Sequence, residues 1–206
     1  MPISDEQIEG LEADAFSGGE VTSPCPYEIT NDVTIGPIKI NCDLEIKGNP
    51  TITVNGDLWV NGSISTENNV VVKIAPAHGA RSVAIIADDP TNRLTSSSIS
   101  LRNSTQFQGS GSVGSFIFLI SMNNSAENAG NEEAISMENS ANGAVILYAP
   151  HGLISINNSA ILREVTGYKI MARNFTNIIY DTGLTSTLFT SGPGGGYEVS
   201  GWVETQ

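Results

Sequence analysis

The segment Ile154-Ser155-Ile156-Asn157-Asn158 is one of six copies of a short pattern that decides the fold. Each copy has five positions: the first is apolar, the third is apolar or small, the fifth is Asn or Gly, and the second and fourth vary. An apolar residue usually follows four positions after the fifth. Alternating apolar and polar residues are typical of a half-buried strand. Asn and Gly tolerate left-handed backbone at low cost, so each copy predicts a strand that ends in a turn. The predicted corner residues are Gly48, Asn68, Asn103, Asn139, Asn158 and Asn174.

The spacing of the copies predicts a repeat. Their first residues lie 20, 35, 36, 19 and 16 positions apart. If each long gap holds two coils, the repeat is roughly 16–20 residues long, which is typical of a β-solenoid. The sequence therefore predicts an all-β, single-stranded β-solenoid, and the variable coil length favours a right-handed parallel β-helix. About eight coils would form a rod of roughly 40 Å at about 4.8 Å per coil.

Both ends of the chain differ from the repeat. Residues 3–15 predict a short α-helix, because Ser4 and Gln7 form a capping-box pattern and an apolar stripe follows them. We expect this helix to cap an open end of the solenoid, since unpaired sheet edges need cover. We divide the chain into the capping helix and its linker (1–19), the β-solenoid (20–183) and a turn-rich closing segment (184–206).

Three predicted strands are continuous apolar runs, at residues 83–87, 116–120 and 144–148. A continuous run predicts burial on both faces of a strand. We expect the cover to come from another protein or from the polar loops at 88–98 and 121–133, which interrupt the repeat. The candidate ligand-contact residues in these loops are Asp88, Asp89, Asn92, Arg93, Asn123, Asn124, Glu127 and Asn131.

The two cysteines, Cys25 and Cys42, are 17 positions apart, which is about one coil. Residues one coil apart lie about 4.8 Å apart on neighbouring strands, and a disulfide accepts that separation. We therefore predict a disulfide, with two independent buried thiols as the alternative. A disulfide would place the chain outside a reducing cytoplasm.

The amino-acid composition limits the classes of function that we expect for this chain. The formal net charge is −13, with only nine Lys and Arg residues. A nucleic-acid binder needs a basic stripe to displace counterions from phosphate, so we expect no nucleic-acid partner. The sequence contains no transmembrane pattern, and we expect no direct membrane insertion of this chain. Met1-Pro2 suggests an expression start that leaves out a native anchor.

No residue pattern predicts catalysis, a metal site or a cofactor. The corner Asn residues predict an inter-coil hydrogen-bond ladder, with ligand binding as the alternative. His78 and His151 lie in similar short segments that contain Pro, and we interpret them as turn residues at equivalent corners. Asp88-Asp89 leaves a carbohydrate-active enzyme open, since such enzymes use paired carboxylates.

Several segments also resemble a known family: residues 2–8, the repeated Asn-Ser and Asn-Asn corners, and residues 143–149, 165–170 and 191–199. They resemble the C-terminal domain of type IV pilus-associated, PilX-like surface proteins from uncultured ultrasmall bacteria. The resemblance implies an extracellular domain, tethered to a pilus or the cell envelope through a hydrophobic helix that precedes it.

We expect a non-catalytic extracellular module for adhesion or display. Its partners would be a cell-surface glycan or protein, together with pilus or envelope components. A self-associating structural solenoid and a carbohydrate-active enzyme are the alternatives.

Overall fold

A computed structural model describes residues 3–138, 142–157, 161–174, 177–178 and 188–189 of the chain. Its strands all pair in parallel, in the order expected of a chain that winds repeatedly around one axis. The β-solenoid prediction is confirmed, and its handedness stays a prediction. Each coil contributes one strand to each of three sheets, which we call A, B and C.

The strands are numbered in chain order. The A sheet contains β1 (Glu20–Val21), β4 (Ile38–Ile40), β7 (Leu58–Val60), β10 (Arg81–Ala87), β13 (Ile117–Ser121) and the first parts of β16 (Val145–Asn157) and β18 (Glu164–Arg173). The B sheet contains β2 (Tyr27–Ile29), β5 (Leu44–Ile46), β8 (Ile64–Thr66), β11 (Ile99–Leu101), β14 (Glu133–Glu138) and the second parts of β16 and β18. The C sheet contains β3 (Val33–Ile35), β6 (Thr51–Val54), β9 (Val71–Ile74), β12 (Gln106–Gln108), β15 (Asn142–Gly143), β17 (Ile161–Leu162) and β19 (Asn177–Ile178).

The six copies of the repeated pattern lie in register in the B sheet. Their first residues form one column in consecutive coils: Leu44, Ile64, Ile99, Ile135, Ile154 and Ile170. The first five of these side chains are buried in the interior. Burial of an Ile or Leu side chain contributes about 1.5–3 kcal/mol, so the column favours this register over a slipped one.

The expected number of coils was wrong. β8 pairs directly with β11, and β11 pairs directly with β14, so each long gap is one long coil. Each of the three sheets therefore has seven described strands, and six steps of about 4.8 Å give a rod of about 29 Å instead of 40 Å. The additional residues form loops between strands and longer strands in the A sheet, which lengthen a coil without adding a layer.

The predicted disulfide joins Cys25 and Cys42, with a Cα–Cα distance of 5.9 Å. The two cysteines occupy the A-to-B turns of the first two coils, after β1 and after β4. The one-coil spacing therefore places them on adjacent layers, as the sequence predicts.

The N-terminal helix α1 spans Asp5–Ser17, and the predicted capping box between Ser4 and Gln7 is present. Its position differs from the expectation, because it covers the outside of the A sheet and not an end of the solenoid. Ile3, Ile8 and Leu11 belong to a buried cluster with the outward side chains of β10, β13 and β16, which are Ala84, Ile86, Phe118, Ile120, Ile146 and Tyr148. These are the three apolar runs of the sequence, so α1 provides the cover expected from the loops or from another protein.

The length of α1 explains how it fits this surface. Thirteen helical residues span about 20 Å at about 1.5 Å per residue, and four coil steps span about 19 Å. The Tyr148 hydroxyl, in coil six, donates to the carbonyl oxygen of Ile3 at 2.5 Å. At the other end of the helix, a Cβ on Gly18 would overlap the carbonyl of Pro37, which precedes β4 in coil two. The helix thus runs along the axis, from coil six to coil two.

The closing segment is described only at β20 (Leu188–Phe189), which pairs in parallel with Arg81 and Ser82 of β10. The rest of the turn-rich closing segment lies outside the described residues.

Reduction of the disulfide should lower the free energy of unfolding by roughly 3 kcal/mol, the chain-entropy contribution of a loop of about 15 residues. Urea unfolding with and without dithiothreitol measures the difference. The double variant Cys25→Ser/Cys42→Ser should have the stability of the reduced protein and should not respond to the reductant. Equal stability of the oxidised and reduced protein would contradict the prediction.

Candidate functional site

Two loops project from the same corner of the solenoid, where the A sheet passes into the B sheet in coils four and five. We call residues 88–98 and 122–132 together the ledge. They stack on each other because β10 pairs with β13 and β11 pairs with β14 on either side of them. The backbone N–H of Asn124 donates to the carbonyl of Arg93 at 3.0 Å, and Asn123 Nδ2 donates to the carbonyl of Ser96 at 2.7 Å. The two loops therefore form one hydrogen-bonded unit.

Asp88 and Arg93 form a buried ion pair at the base of the ledge. Arg93 Nε donates to Asp88 Oδ1 at 2.7 Å, and Arg93 Nη2 donates to Asp88 Oδ2 at 2.6 Å. The Asp88 side chain is 0% exposed, whereas that of Arg93 is 29% exposed. Trp59 Nε1 also donates to the Asp88 carbonyl at 3.0 Å. Asp88 is therefore a structural residue whose carboxylate a soluble ligand does not reach.

Glu12 brings a second carboxyl to this pair from α1. It is 6% exposed, and its Oε1 has no hydrogen-bond partner among the described residues. Burial raises the pKa of Glu12 to about 8, with further contributions from the charge of Asp88 and a hydrogen bond between the two side chains. Arg93 lowers the pKa of Glu12, but it is already engaged by Asp88. The three side chains therefore interact where the helix meets the ledge.

Asp89 and Asn92 shape the first loop of the ledge. Asp89 Oδ1 accepts hydrogen bonds from the backbone N–H of Thr91 at 3.1 Å and from its hydroxyl at 2.7 Å. Asn92 Oδ1 accepts from the hydroxyl of Thr95 at 2.8 Å. Such local side-chain bonds fix turns. The adjacent carboxylates Asp88 and Asp89 thus have different environments and do not form an acid/base pair in this arrangement.

The second loop of the ledge is held from both sides. Asn123 is buried, and its Oδ1 accepts from the backbone N–H of Ser125 at 3.1 Å. Glu127 Oε2 lies 2.8 Å from His151 Nδ1, whose Nε2 lies 3.2 Å from Asp5 Oδ2 of α1. His151 therefore links the ledge, coil six and the helix. His151 lies between the A and B sheets, whereas His78 lies in the short 3₁₀ turn after the C sheet, so the expectation of equivalent corners was wrong.

The outer rim of the ledge carries the exposed groups. Of the candidate residues, Asn92, Glu127 and Asn131 are exposed, and the apolar Leu94 is 51% exposed beside them. The other exposed rim residues are Pro90, Thr91, Thr95, Asn128, Ala129 and Glu132. Amide, hydroxyl and carboxylate groups beside exposed apolar side chains can hydrogen-bond a polar ligand while contacting its apolar parts.

Sequence reasoning missed Glu12, Trp59 and His151 as partners of the candidate loops. The burial of Glu12 could have been predicted, because it lies four residues after Ile8 and one after Leu11, on the apolar stripe of the helix. An ionisable residue on a buried stripe predicts a buried partner. Trp59 and His151 had no such signal, since their contacts depend on how the coils stack.

At the corner after the B sheet, the predicted corner residues that the structure describes have left-handed backbone. The backbone φ is 87° at Gly48, 67° at Asn68, 60° at Asn103 and 53° at Asn174. Asn139 and Asn158 lie outside the described residues.

Amide hydrogen bonds between coils occur next to these corner residues. Asn69 Nδ2 donates to Asn49 Oδ1 at 3.4 Å, one position after the left-handed residue. At the A-to-B turn, Asn61 Nδ2 donates to Asn41 Oδ1 at 2.6 Å. The corner Asn residues therefore set the backbone, while neighbouring Asn residues link successive coils.

Among the described residues, no group of three or more His, Cys, Asp or Glu side chains could hold a metal ion. The described part of the chain also contains no helix long and apolar enough to cross a membrane. Known protein families, curated proteins and solved structures gave no match to this chain. The resemblance to pilus-associated proteins therefore stays a prediction.

Replacement of Arg93 by Ala should destabilise the protein strongly, because it leaves the Asp88 carboxylate buried without its partner. Removing one member of a buried pair typically costs about 3–5 kcal/mol, and the partial exposure of Arg93 should keep the loss at or below that range. Thermal or urea unfolding measures the change. Arg102→Ala, at an exposed arginine directly after β11, is the matched control and should change stability by less than about 0.5 kcal/mol.

Replacement of Asn68 by Ala should cost about 1–2 kcal/mol, since an L-residue other than Gly or Asn pays that penalty in left-handed backbone. Asn68→Gly should stay within about 1 kcal/mol of the wild type, because Gly adopts this conformation freely but is more flexible when unfolded. Equal losses from both substitutions, measured by urea unfolding, would show that the side chain and not the backbone conformation matters.

Proposed function

We propose that this protein is a non-catalytic, extracellular adhesion or display module whose ledge contacts a cell-surface glycan or protein. One observation carries the proposal: the only two long coils of the described solenoid place inserted loops at the same corner, in adjacent layers. In repeat proteins, insertions on one face often form the binding face. The rest of the solenoid holds this surface rigidly.

The chemistry of the rim supports this function. Its exposed side chains are mainly amides, hydroxyls and carboxylates, and the buried Asp88–Arg93 pair and Asn123 hold the loops from beneath. A surface whose backbone is already fixed loses little conformational entropy on binding. Adhesion needs only such a preorganised contact surface.

The proposed location outside the cell rests on the disulfide. Cys25–Cys42 closes the first coil, and disulfides persist mainly in oxidising compartments. The resemblance to pilus-associated surface domains favours the same location and suggests pilus or envelope components as partners. A net charge of −13 also suits a surface that remains dispersed in solution.

The geometry supports the two alternative functions less well. A carbohydrate-active enzyme would need two accessible carboxylates, whereas Asp88 is enclosed by Arg93 and Asp89 forms a local turn. A self-associating solenoid would need the apolar runs exposed, whereas α1 covers their outward side chains.

Binding to a glycan array and to intact cells tests the proposal. The ledge variant Leu94→Ser/Asn131→Ala changes two exposed rim residues and should reduce binding at least about tenfold, as expected for loss of interface contacts worth about 1.4 kcal/mol. Val113→Ser is the matched control, since Val113 is 98% exposed on a loop at a different corner. It should bind like the wild type.

Two results would overturn this assignment. One is the absence of binding by the wild-type protein to both the array and the cells. The other is an equal loss of binding in the ledge variant and the Val113→Ser control, which would place the contact away from the ledge.

A further inference from the structure

The outward side of the A sheet in coils four to six is an apolar strip under α1. It consists of Ala84, Ile86, Phe118, Ile120, Ile146 and Tyr148. By contrast, the B sheet has Ser65, Ser100, Ser136 and Ser155 in one column between its inward apolar residues. An apolar strip of this length requires a cover in water.

The covering helix α1 is attached to the solenoid at both of its ends, and we call it the strap. After Ser17 the chain passes through Gly18 and Gly19, and Gly19 has a φ of 121°. The strap is also fixed at its start, where Tyr148 bonds to the backbone of Ile3 and His151 lies beside Asp5. Between these ends, Met122 of the ledge packs in one buried cluster with Ile8 and Leu11, and Glu12 meets the Asp88–Arg93 pair.

The contact at Glu12 holds more negative charge than it can neutralise if both carboxyls ionise. Asp88 and Arg93 face Glu12 from the ledge, and Glu9 is the neighbouring carboxylate on the helix itself. Arg93 is committed to both oxygens of Asp88. A carboxylate that is 6% exposed, with an Oε1 that has no partner in the described part of the chain, is costly. A protonated Glu12 is instead neutral and can donate to Asp88.

We propose that α1 is a proton-latched strap: a proton on Glu12, shared with Asp88, holds the helix on the A sheet, and its loss loosens the helix and uncovers the apolar strip. The step is a simple deprotonation, in which the Glu12 carboxyl gives its proton to solvent. The buried carboxylate that results is stabilised by undocking of the helix, which returns it to water.

The direction of the pH effect follows from the raised pKa. Burial raises the pKa of Glu12 from 4.5 to about 8, so the docked state binds more protons than the undocked state between these values. The contribution of Glu12 to docking is therefore largest below pH 4.5, weakens as the pH rises towards 8 and then levels off. Each pH unit within this window changes the undocking equilibrium by up to about tenfold.

Hydrogen–deuterium exchange of the full chain at pH 6 and pH 8.5 tests the latch, with each rate divided by the intrinsic rate at that pH. In the wild type, the opening constant of amides in α1 should rise at least about tenfold, while that of amides in β8 and β11 should change less than about twofold. Binding of an apolar fluorescent dye should increase over the same range.

Glu12→Gln keeps the shape and the hydrogen-bond capacity of the protonated residue, so its α1 amides should open equally at both pH values. Glu6→Gln removes an exposed carboxylate from the same helix and should behave like the wild type. The proposal is overturned if the wild-type helix shows no increase in opening, or if Glu12→Gln retains the wild-type pH dependence. The first of these results overturns the proposal without any variant, and the comparison with Glu12→Gln separates Glu12 from the His151–Asp5 contact of the same helix.

Discussion

The apolar outward side of the A sheet imposes the constraint on which much of this structure depends. The inward side chains of these strands fill the solenoid, so Ile86, Phe118, Ile120 and Ile146 would face water without α1. The cost of exposing them fixes the position of the helix along the axis. It also brings Glu12 to Asp88 and Asp5 to His151, so the contacts at the ledge follow from the docking of the helix.

The stacking of the B sheet explains how the solenoid accommodates loops without losing its core. The register of Ile64, Ile99 and Ile135 is kept across two coils of 35 and 36 residues. Parallel pairing needs only that corresponding residues meet in adjacent layers, and it places no limit on what the chain does between strands. The ledge is therefore an addition to an unchanged framework, and the contact surface can vary while the core stays the same.

Local features of the fold were readable in the sequence. The alternation around each corner residue, the capping box of Ser4 and Gln7, and the one-coil spacing of Cys25 and Cys42 each depend on neighbours in the chain or in the next layer. The number of coils was misjudged because an insertion and an additional coil lengthen a gap equally. Only strand pairing separates them.

The position of α1 and the division of the ledge into buried and exposed residues could not be predicted from local sequence patterns. The three apolar runs correctly indicated a cover, but an amphipathic helix fits a sheet face or an open end equally well by sequence. The candidate loops were located from their interruption of the repeat. Which of their residues are buried supports, such as Asp88 and Asn123, and which form the rim, such as Asn131, depends on stacking between coils.

Methyl NMR of the isoleucine- and leucine-labelled protein tests the central claim most directly. If α1 covers the A sheet, the methyl groups of Ile8 or Leu11 should show nuclear Overhauser effects to Ile86, Ile120 or Ile146, with which they share one buried cluster. Effects from Ile8 and Leu11 only to residues of the first coil, such as Ile29 or Ile35, would place the helix at the end of the solenoid and contradict the account.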